Sequence, residues 1–295
     1  MIYKLRREEK EPILICAVKD DLVKIKLQVE HHRKIGVKHF IYIDNISTDG
    51  TFEWLREQED VTLYKVETSF KGRTKSAWQN LAVKQEGYGK WYLILDSDEL
   101  FAYPGMENIN IQKYISFLEK KGITAITTPL VDMYSKGNIF TTNVIENIRN
   151  EYCFFDTVYY VKSEEIYGGP RFRIFSMKNR LVKHSLLKME KNMISGIHVN
   201  FPRHRNFETK VAAFLLHYKF LPNETQKYME IAEKGNYSGG SKEYKTYIEF
   251  YKQNPNLSFY YSGSQKLNNS MDLLKINIAD KQFFEEFLLE GSVDA

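Results

Sequence analysis

The chain has 295 residues, enough for one large domain or one domain with a sizeable appendage. With 43% hydrophobic and 27% charged residues it has the balance of a globular protein with a real core. A formal net charge of only +4 excludes the strong basic field that wraps nucleic acid, and leaves a mild bias towards anionic small molecules or membrane surfaces.

Two cysteines, Cys16 and Cys153, form neither a disulfide framework nor a CxxC metal pair, which points to a reducing compartment. The opening "MIYKLRREEKEP" is charged where a secretory leader would be apolar. No apolar run approaches the ~20 residues of a membrane-spanning helix. The expectation is a cytoplasmic protein whose only membrane contact is peripheral, at the inner face.

Residues 12–101 alternate strand and helix patterns. "PILICAV" is a continuous apolar run, the pattern of a strand covered on both faces. "DDLVKIKLQVEHHRKIG" follows, with Leu22, Ile25, Val29 and His32 at helical spacing and Gly36 as C-cap. "KHFIYIDN" reads as a second strand, and "STDGTFEWLREQE" as a helix capped by Ser47, Thr48 or Asp49. "VTLYKVE", the helix "TKSAWQNLAVKQE" and the strand "KWYLILD" complete the series. Such alternation predicts right-handed crossovers and a doubly wound, mostly parallel α/β sheet.

Beyond residue 101, "YISFLEKKG" reads as a short helix, while "ITAITTPLVDMY" and "PRFRIFS" read as strands. From residue 221 the stretches "NETQKYMEIAEKG", "KEYKTYIEFYKQ" and "MDLLKINIADKQFFEEFLLEG" are amphipathic helices. The 20 tyrosines and 19 phenylalanines suit sugar stacking or reflect composition alone.

"WYLILDSDELF" sets Asp96, Asp98 and Glu99 at the end of the most apolar strand. In open parallel sheets the ligand crevice lies beyond the carboxyl ends of the strands, where Lys19, Asp20 and Asp44 also fall. Alternate side chains of an Asp-x-Asp step point the same way. They can share one hard divalent cation that keeps phosphate oxygens as further ligands. Without a cation, the pair would repel and one carboxyl would tend to hold its proton.

"ICAVKDD", "HHRKIGVKHFIYIDNISTDGTFEWL" and "WYLILDSDELF" resemble the nucleotide-binding half of glycosyltransferase family 2-like proteins with a GT-A fold, over about residues 12–102. Shorter motifs, "LVDMYSKG", "CFFDTVY", "YGGPRFRIF", "GIHVNFP" and "FLLHYKF", extend the resemblance to about residue 220. It implies a GT-A domain over 1–220, with a nucleotide-sugar-binding half at 12–102 and an acceptor-side half at 103–220. Residues 221–295 would form a helical C-terminal region. It further implies nucleotide contacts from Lys19, Asp20, Asp44, Lys75, Asn80 and Asp96. Mn2+ or Mg2+ would be bound by Asp96 and Asp98, with His217 as a ligand from the far half. One departure is that Lys19-Asp20-Asp21 stands where the family commonly has Arg-Asn-Glu.

Other polar residues carry weaker signals. His31 and His32 are adjacent and cannot both face one ligand, so a helix surface with a capping contact is expected. His198 and His217 read as buried, hydrogen-bonded histidines, with metal ligation open for His217. "PRHR" at 202–205 reads as an exposed basic loop, or as a phosphate clamp. An acceptor base is needed if the sugar inverts. Asp132, Asp156, Glu164 and Glu165 are the candidates, with Asp156 and Glu165 preferred.

The expectation is a metal-dependent, inverting glycosyltransferase that moves a sugar from a nucleotide-diphosphate donor to a glycan or glycolipid acceptor in cell-surface polysaccharide or lipopolysaccharide synthesis. A homodimer stays open. The alternatives are a sugar-phosphate nucleotidyltransferase, disfavoured because "AVKDDLVK" has no glycine for a phosphate loop, and a non-catalytic nucleotide- or sugar-binding module of the same fold.

Overall fold

The computed structural model describes residues 11–68, 72–143, 146–163, 165–191, 193–195, 200–201, 207–235 and 238–293. The alternating half forms as the pattern predicts: β1 (Ile13–Val18), α1 (Leu22–Lys34), β2 (His39–Asp44), α2 (Thr51–Arg56), β3 (Val61–Lys65), α3 (Gly72–Glu86) and β4 (Trp91–Leu95). These strands are parallel, in the order β3-β2-β1-β4. The continuous apolar run of β1 is explained by its two neighbouring layers. Leu14, Cys16 and Val18 enter the main core, while Ile13, Ile15 and Ala17 pack against Ala82 and Val83 of α3.

After β4 the chain continues into β5 (Glu99–Ala102), α4 (Ile111–Lys120) and β6 (Ala125–Asp132). The α/β class expected from the sequence is present, but the ten-stranded sheet as a whole is mixed. Strand Leu186–Lys188 runs antiparallel to β4 and to β6. Strand Phe214–His217 runs parallel to β6 and antiparallel to β5. Its register sets His217 opposite both Asp132 and Glu99, which brings the far half of the chain to the acidic turn.

"PRFRIFS" is not a strand. It lies in helix Gly169–Phe175, because Gly168 (φ 149°) and Gly169 (φ 65°) turn the chain sharply and Pro170 then fixes a helical first turn. A Cβ on Gly168 would stand 2.7 Å from the Val158 carbonyl oxygen, so the turn admits no side chain there.

Residues beyond 220 form helices Glu224–Lys234 and Ser238–Gln253, the latter kinked at Gly239–Ser241. The last predicted helix divides into a 3-10 turn, Ser270–Lys275, and helix Lys281–Val293. This region shares the main core rather than standing apart. Phe283, Phe284 and Phe287 are buried there with Tyr103, Tyr114 and Phe117. Many aromatics therefore serve packing, including a second cluster of Phe175, Phe220, Tyr228, Tyr247 and Phe259. Both cysteines are buried and unpaired. Among the described residues no helix is long and apolar enough to cross a membrane.

Candidate active site

Three loops build the site at the carboxyl end of the parallel strands. The "IDNISTDGT" segment locks the corner between β1 and α1. Asp44 accepts from the Ser47 amide (3.0 Å), and Asn45 donates to the carbonyls of Val66 and Thr68 (2.8 Å each). Ser47 Oγ then accepts from the Asp20 amide (2.9 Å), the Asp20 carboxylate accepts from the Thr48 amide (2.6 Å), and Asp49 accepts from the first amide of α1, Leu22 (2.9 Å). Asp20 itself has φ 51°, a left-handed conformation that Asp tolerates better than most residues.

The acidic turn is held from below by α1. Gln28 Nε2 donates to the carbonyls of Asp96 (2.6 Å) and Glu99 (3.0 Å), while its carbonyl oxygen accepts from the Tyr42 hydroxyl (2.8 Å). His31 and His32 are not on the helix surface as expected. They are buried, and both grip Phe101 of β5: His31 Nε2 donates to its carbonyl (2.6 Å), and His32 Nε2 accepts from its amide (3.1 Å). Burial holds both rings well below the usual histidine pKa, His32 at about 3, so both are neutral.

The carboxylates of Asp96, Asp98 and Glu99 lie within 4.8 Å of one another. Asp96 receives Lys75 on one oxygen and Lys183 (2.7 Å) on the other. Burial disfavours its charge, but the two lysines outweigh that and hold it well below the usual carboxylate range. Glu99 also receives Lys183, yet burial dominates and raises it. Asp98 faces His217 Nε2 at 3.3 Å, and His217 Nδ1 lies 2.6 Å from Asp132 Oδ1. Burial works against the imidazolium, but Asp98 and Asp132 overcome it and raise His217.

Lys19, Asp20, Lys75, Asp96, Asp98 and His217 line one cavity of about 700 Å³. Its opposite wall is helix Glu224–Lys234, which contributes Glu224, Lys227, Tyr228 and Glu230. Ion pairs clasp that helix to the β1–α1 corner: Lys24 to Glu224 (2.7 Å) and Lys227 to Asp21 (2.5 Å). Glu224 Oε2 is buried with no hydrogen-bond partner among the described residues.

Four predicted site residues are not in that lining. Asp44 is fully buried beneath the corner it braces, and its Oδ2 has no hydrogen-bond partner among the described residues. Asn80 lies on a separate groove along α3 and donates to the Ser76 carbonyl (2.6 Å). Asp156 is buried, with its carboxylate taken by Arg173 (2.9 and 3.1 Å) and the Tyr134 hydroxyl, so its lone pairs are committed to a structural cluster. Glu165 is exposed on the hairpin of strands Tyr159–Lys162 and Glu165–Gly168. Glu164, His198 and residues 202–205 lie outside the described residues. The sequence reading missed Lys24, Lys183, Lys219, Lys227 and Glu224. Lys219 stands two residues beyond strand Phe214–His217 and Lys183 ends the short strand Val182–Lys183, but it is tertiary packing that brings all five to the site.

The donor set suits a divalent cation. Two ligands about 2.1 Å from one ion stand roughly 3 Å apart when adjacent, and Asp98 Oδ2 and His217 Nε2 are 3.3 Å apart. Asp98 and His217 would hold the ion, with Asp96 alongside but already neutralised by two lysines.

No protein-family profile matches the sequence, and no characterised protein matches it. In fold it is similar to residues 1–349 of S. aureus TarS (14% identity, 76% of this chain and 64% of that one, TM-score 0.35). It is also similar to glucosyl-3-phosphoglycerate synthase from Mycobacterium tuberculosis in complex with Mn2+, UDP and phosphoglyceric acid (15%, 41% and 43%, 0.28). A third likeness is to UDP-glucose pyrophosphorylase from Acinetobacter baumanii (10%, 95% and 99%, 0.32). The chain thus spans less than two thirds of the length of the first two. At such scores the ground for function is the chemistry of the cavity itself.

Proposed function

We propose that the protein is a metal-dependent, inverting glycosyltransferase that uses a nucleotide-diphosphate sugar. The observation that carries this reading is the cavity in which Asp98 and His217 face each other beside a lysine-held Asp96 at the carboxyl end of β4. A bound Mn2+ or Mg2+ supplies positive charge to the diphosphate as it leaves. The chain's own groups do the rest. Lys75 and Lys183 keep Asp96 ionised, and its oxygens retain lone pairs to accept from ribose hydroxyls. Lys19 lines the same wall and is available to phosphate oxygens.

The acceptor base is assigned to Glu224 in place of Asp156 and Glu165. Among the cavity's other carboxylates, Asp21 already serves Lys24, Lys227 and Ser97, and Glu230 is half exposed and paired with Lys234. Glu224 keeps Oε1 on Lys24, while Oε2 has no partner among the described residues. In the transfer, the acceptor hydroxyl proton passes to the Glu224 carboxylate and the hydroxyl oxygen bonds to the anomeric carbon. The bond from that carbon to the diphosphate breaks, and its electron pair leaves with the nucleoside diphosphate.

The test is a thermal-shift screen of UDP, GDP, CDP and dTDP with Mn2+, on the wild type and on Asp98→Asn. The expected result is stabilisation by one nucleotide only when Mn2+ is present, abolished by Asp98→Asn at unchanged fold. A wild type that no nucleoside diphosphate stabilises would overturn the reading.

A further inference from the structure

We infer that Asp132, held by Arg171, which Glu243 holds in turn, is the positioning residue that orients His217 for the divalent cation, so that the C-terminal helix Ser238–Gln253 supports the metal site. The inference rests on the metal reading above.

The register of the sheet sets up the pair. Strand Phe214–His217 runs parallel to β6 with His217 opposite Asp132, and the two rows end together. His217 Nδ1 donates to Asp132 Oδ1 at 2.6 Å, which turns Nε2 towards Asp98 Oδ2, 3.3 Å away. A ring whose Nδ1–H is committed to a carboxylate must, when neutral, offer its lone pair at Nε2. Asp132 therefore selects both the orientation of the ring and the tautomer that can ligate. His217 is 5% exposed and Asp132 1%, so water does not compete for either contact.

Asp132 needs a partner of its own. A carboxylate this buried is costly without a countercharge, and a lone one would be free to rotate away. Its second oxygen accepts from Arg171 Nε at 2.7 Å, and Arg171 is 4% exposed. Arg171 is aimed inwards by the Gly168–Gly169–Pro170 turn that starts its helix. Its Nη1 reaches Glu243 at 3.3 Å, and Glu243 also receives Lys219 (3.4 Å) and the Tyr247 hydroxyl. The chain Asp98, His217, Asp132, Arg171, Glu243 thus joins the acidic turn, two sheet strands and two helices. Asp132 is not free to act as the acceptor base, because both its oxygens are engaged.

The full-length protein is titrated with Mn2+ alone and again with excess UDP, reading free Mn2+ by electron paramagnetic resonance, and with Mg2+ by competition. Asp132→Asn keeps the shape but loses the charge. The Mn2+ Kd is expected to rise about 10–100-fold, the usual cost of removing a partner that orients a metal ligand. Mg2+ should weaken less, because imidazole favours Mn2+, so the Mn2+/Mg2+ preference should fall. In a His217→Ala background the same substitution should change the Mn2+ Kd by less than about twofold, since the two act through one contact. Arg171→Lys, which keeps the charge but not the guanidinium geometry, should lower the same preference and serves if Asp132→Asn does not fold. An unchanged preference in a folded variant, or an equal loss in the His217→Ala background, overturns the positioning role alone. A wild type that binds no Mn2+ overturns the metal reading and this inference with it.

Discussion

Lys183 Nζ lies 2.7 Å from Asp96 Oδ2, joining residues 87 apart in sequence, and donates also to Glu99 Oε1. One buried ammonium is therefore wedged between two of the three carboxylates of the acidic turn. Burial works against its charge, but Asp96 and Glu99 outweigh that and raise its pKa. Without it, Asp96 and Glu99 would face each other with Lys75 as the remaining cation on Asp96. Asp96 and Asp98 can stay ionised before any cation arrives because the protein brings its own countercharges, while burial still raises Glu99.

Replacing Lys183 by Met should therefore destabilise the fold by about 3–5 kcal/mol, the range for removing one partner of a buried ion pair. The Glu99 side chain is 1% exposed, so it would be left as a buried acid with the Asp96 amide on Oε2 but no countercharge. Adding Glu99→Gln should recover part of the loss, since the orphan charge is removed. Urea unfolding at pH 7 measures both. A loss below about 1 kcal/mol would show that water relieves the pair.

Glu224→Gln tests the base. The amide keeps a contact to Lys24 but cannot take a proton, and Lys24 retains Asp21 at 3.5 Å. The transfer rate is expected to fall about 10²–10⁴-fold, the usual share of general-base catalysis. Mn2+-dependent nucleotide affinity should stay within about twofold. A variant with wild-type turnover would return the base to another carboxylate.

Much of the alternating half, residues 12–101, was legible because its signals are local. Continuous apolar runs gave the buried strands, and polar residues just after them gave Lys19, Asp20, Asp96 and Asp98, all of which reach the cavity. The reading failed where tertiary context decides. "PRFRIFS" alternates like a strand, but the two glycines before it and its own leading proline dictate a helix. Asp156 in "CFFDTVY" reads as a candidate base, and only the packed structure brings Arg173 to its carboxylate. Glu224 and Lys183 carry no motif, since what makes them part of the site is the packing of a late helix and a short strand against the acidic turn.

The paired histidines give a pH dependence. Both His31 and His32 are pushed down by burial, so the unfolded chain takes up protons on them first as pH falls below about 6.5. Stability from these rings is complete above that pH and is lost progressively towards the folded value, about 3 for His32. His217 is raised and contributes the opposite slope, so the comparison must be between variants. Between pH 6.5 and 5, above the carboxylate range, the melting temperature of the wild type should fall more steeply than that of His31→Gln/His32→Asn. Parallel slopes would mean that the rings accept protons without loss of the Phe101 contacts.

The C-terminal region allows a sharper test than removing it. Phe287 is 1% exposed and packs edge-on to Tyr114 (5.0 Å between ring centres), to Tyr103 (5.8 Å) and, tilted, to Phe117 (5.3 Å). Those three rings belong to α4 and to the connection that leads into it from β5, so cutting the chain after Leu221 would expose them together. An insoluble truncation is the expected result, and it would say nothing about catalysis. Phe287→Ala removes one ring and leaves the fold to absorb a cavity, at about 3–5 kcal/mol. Its effect should be confined to stability, because the residue lies on the core side, whereas helix Glu224–Lys234 lines the cavity. Denaturant unfolding should show the loss, and Mn2+-dependent nucleotide affinity of the folded variant should be unchanged. A cost under about 1 kcal/mol would mean that the last helix is only loosely docked, and would restore the picture of a separable appendage.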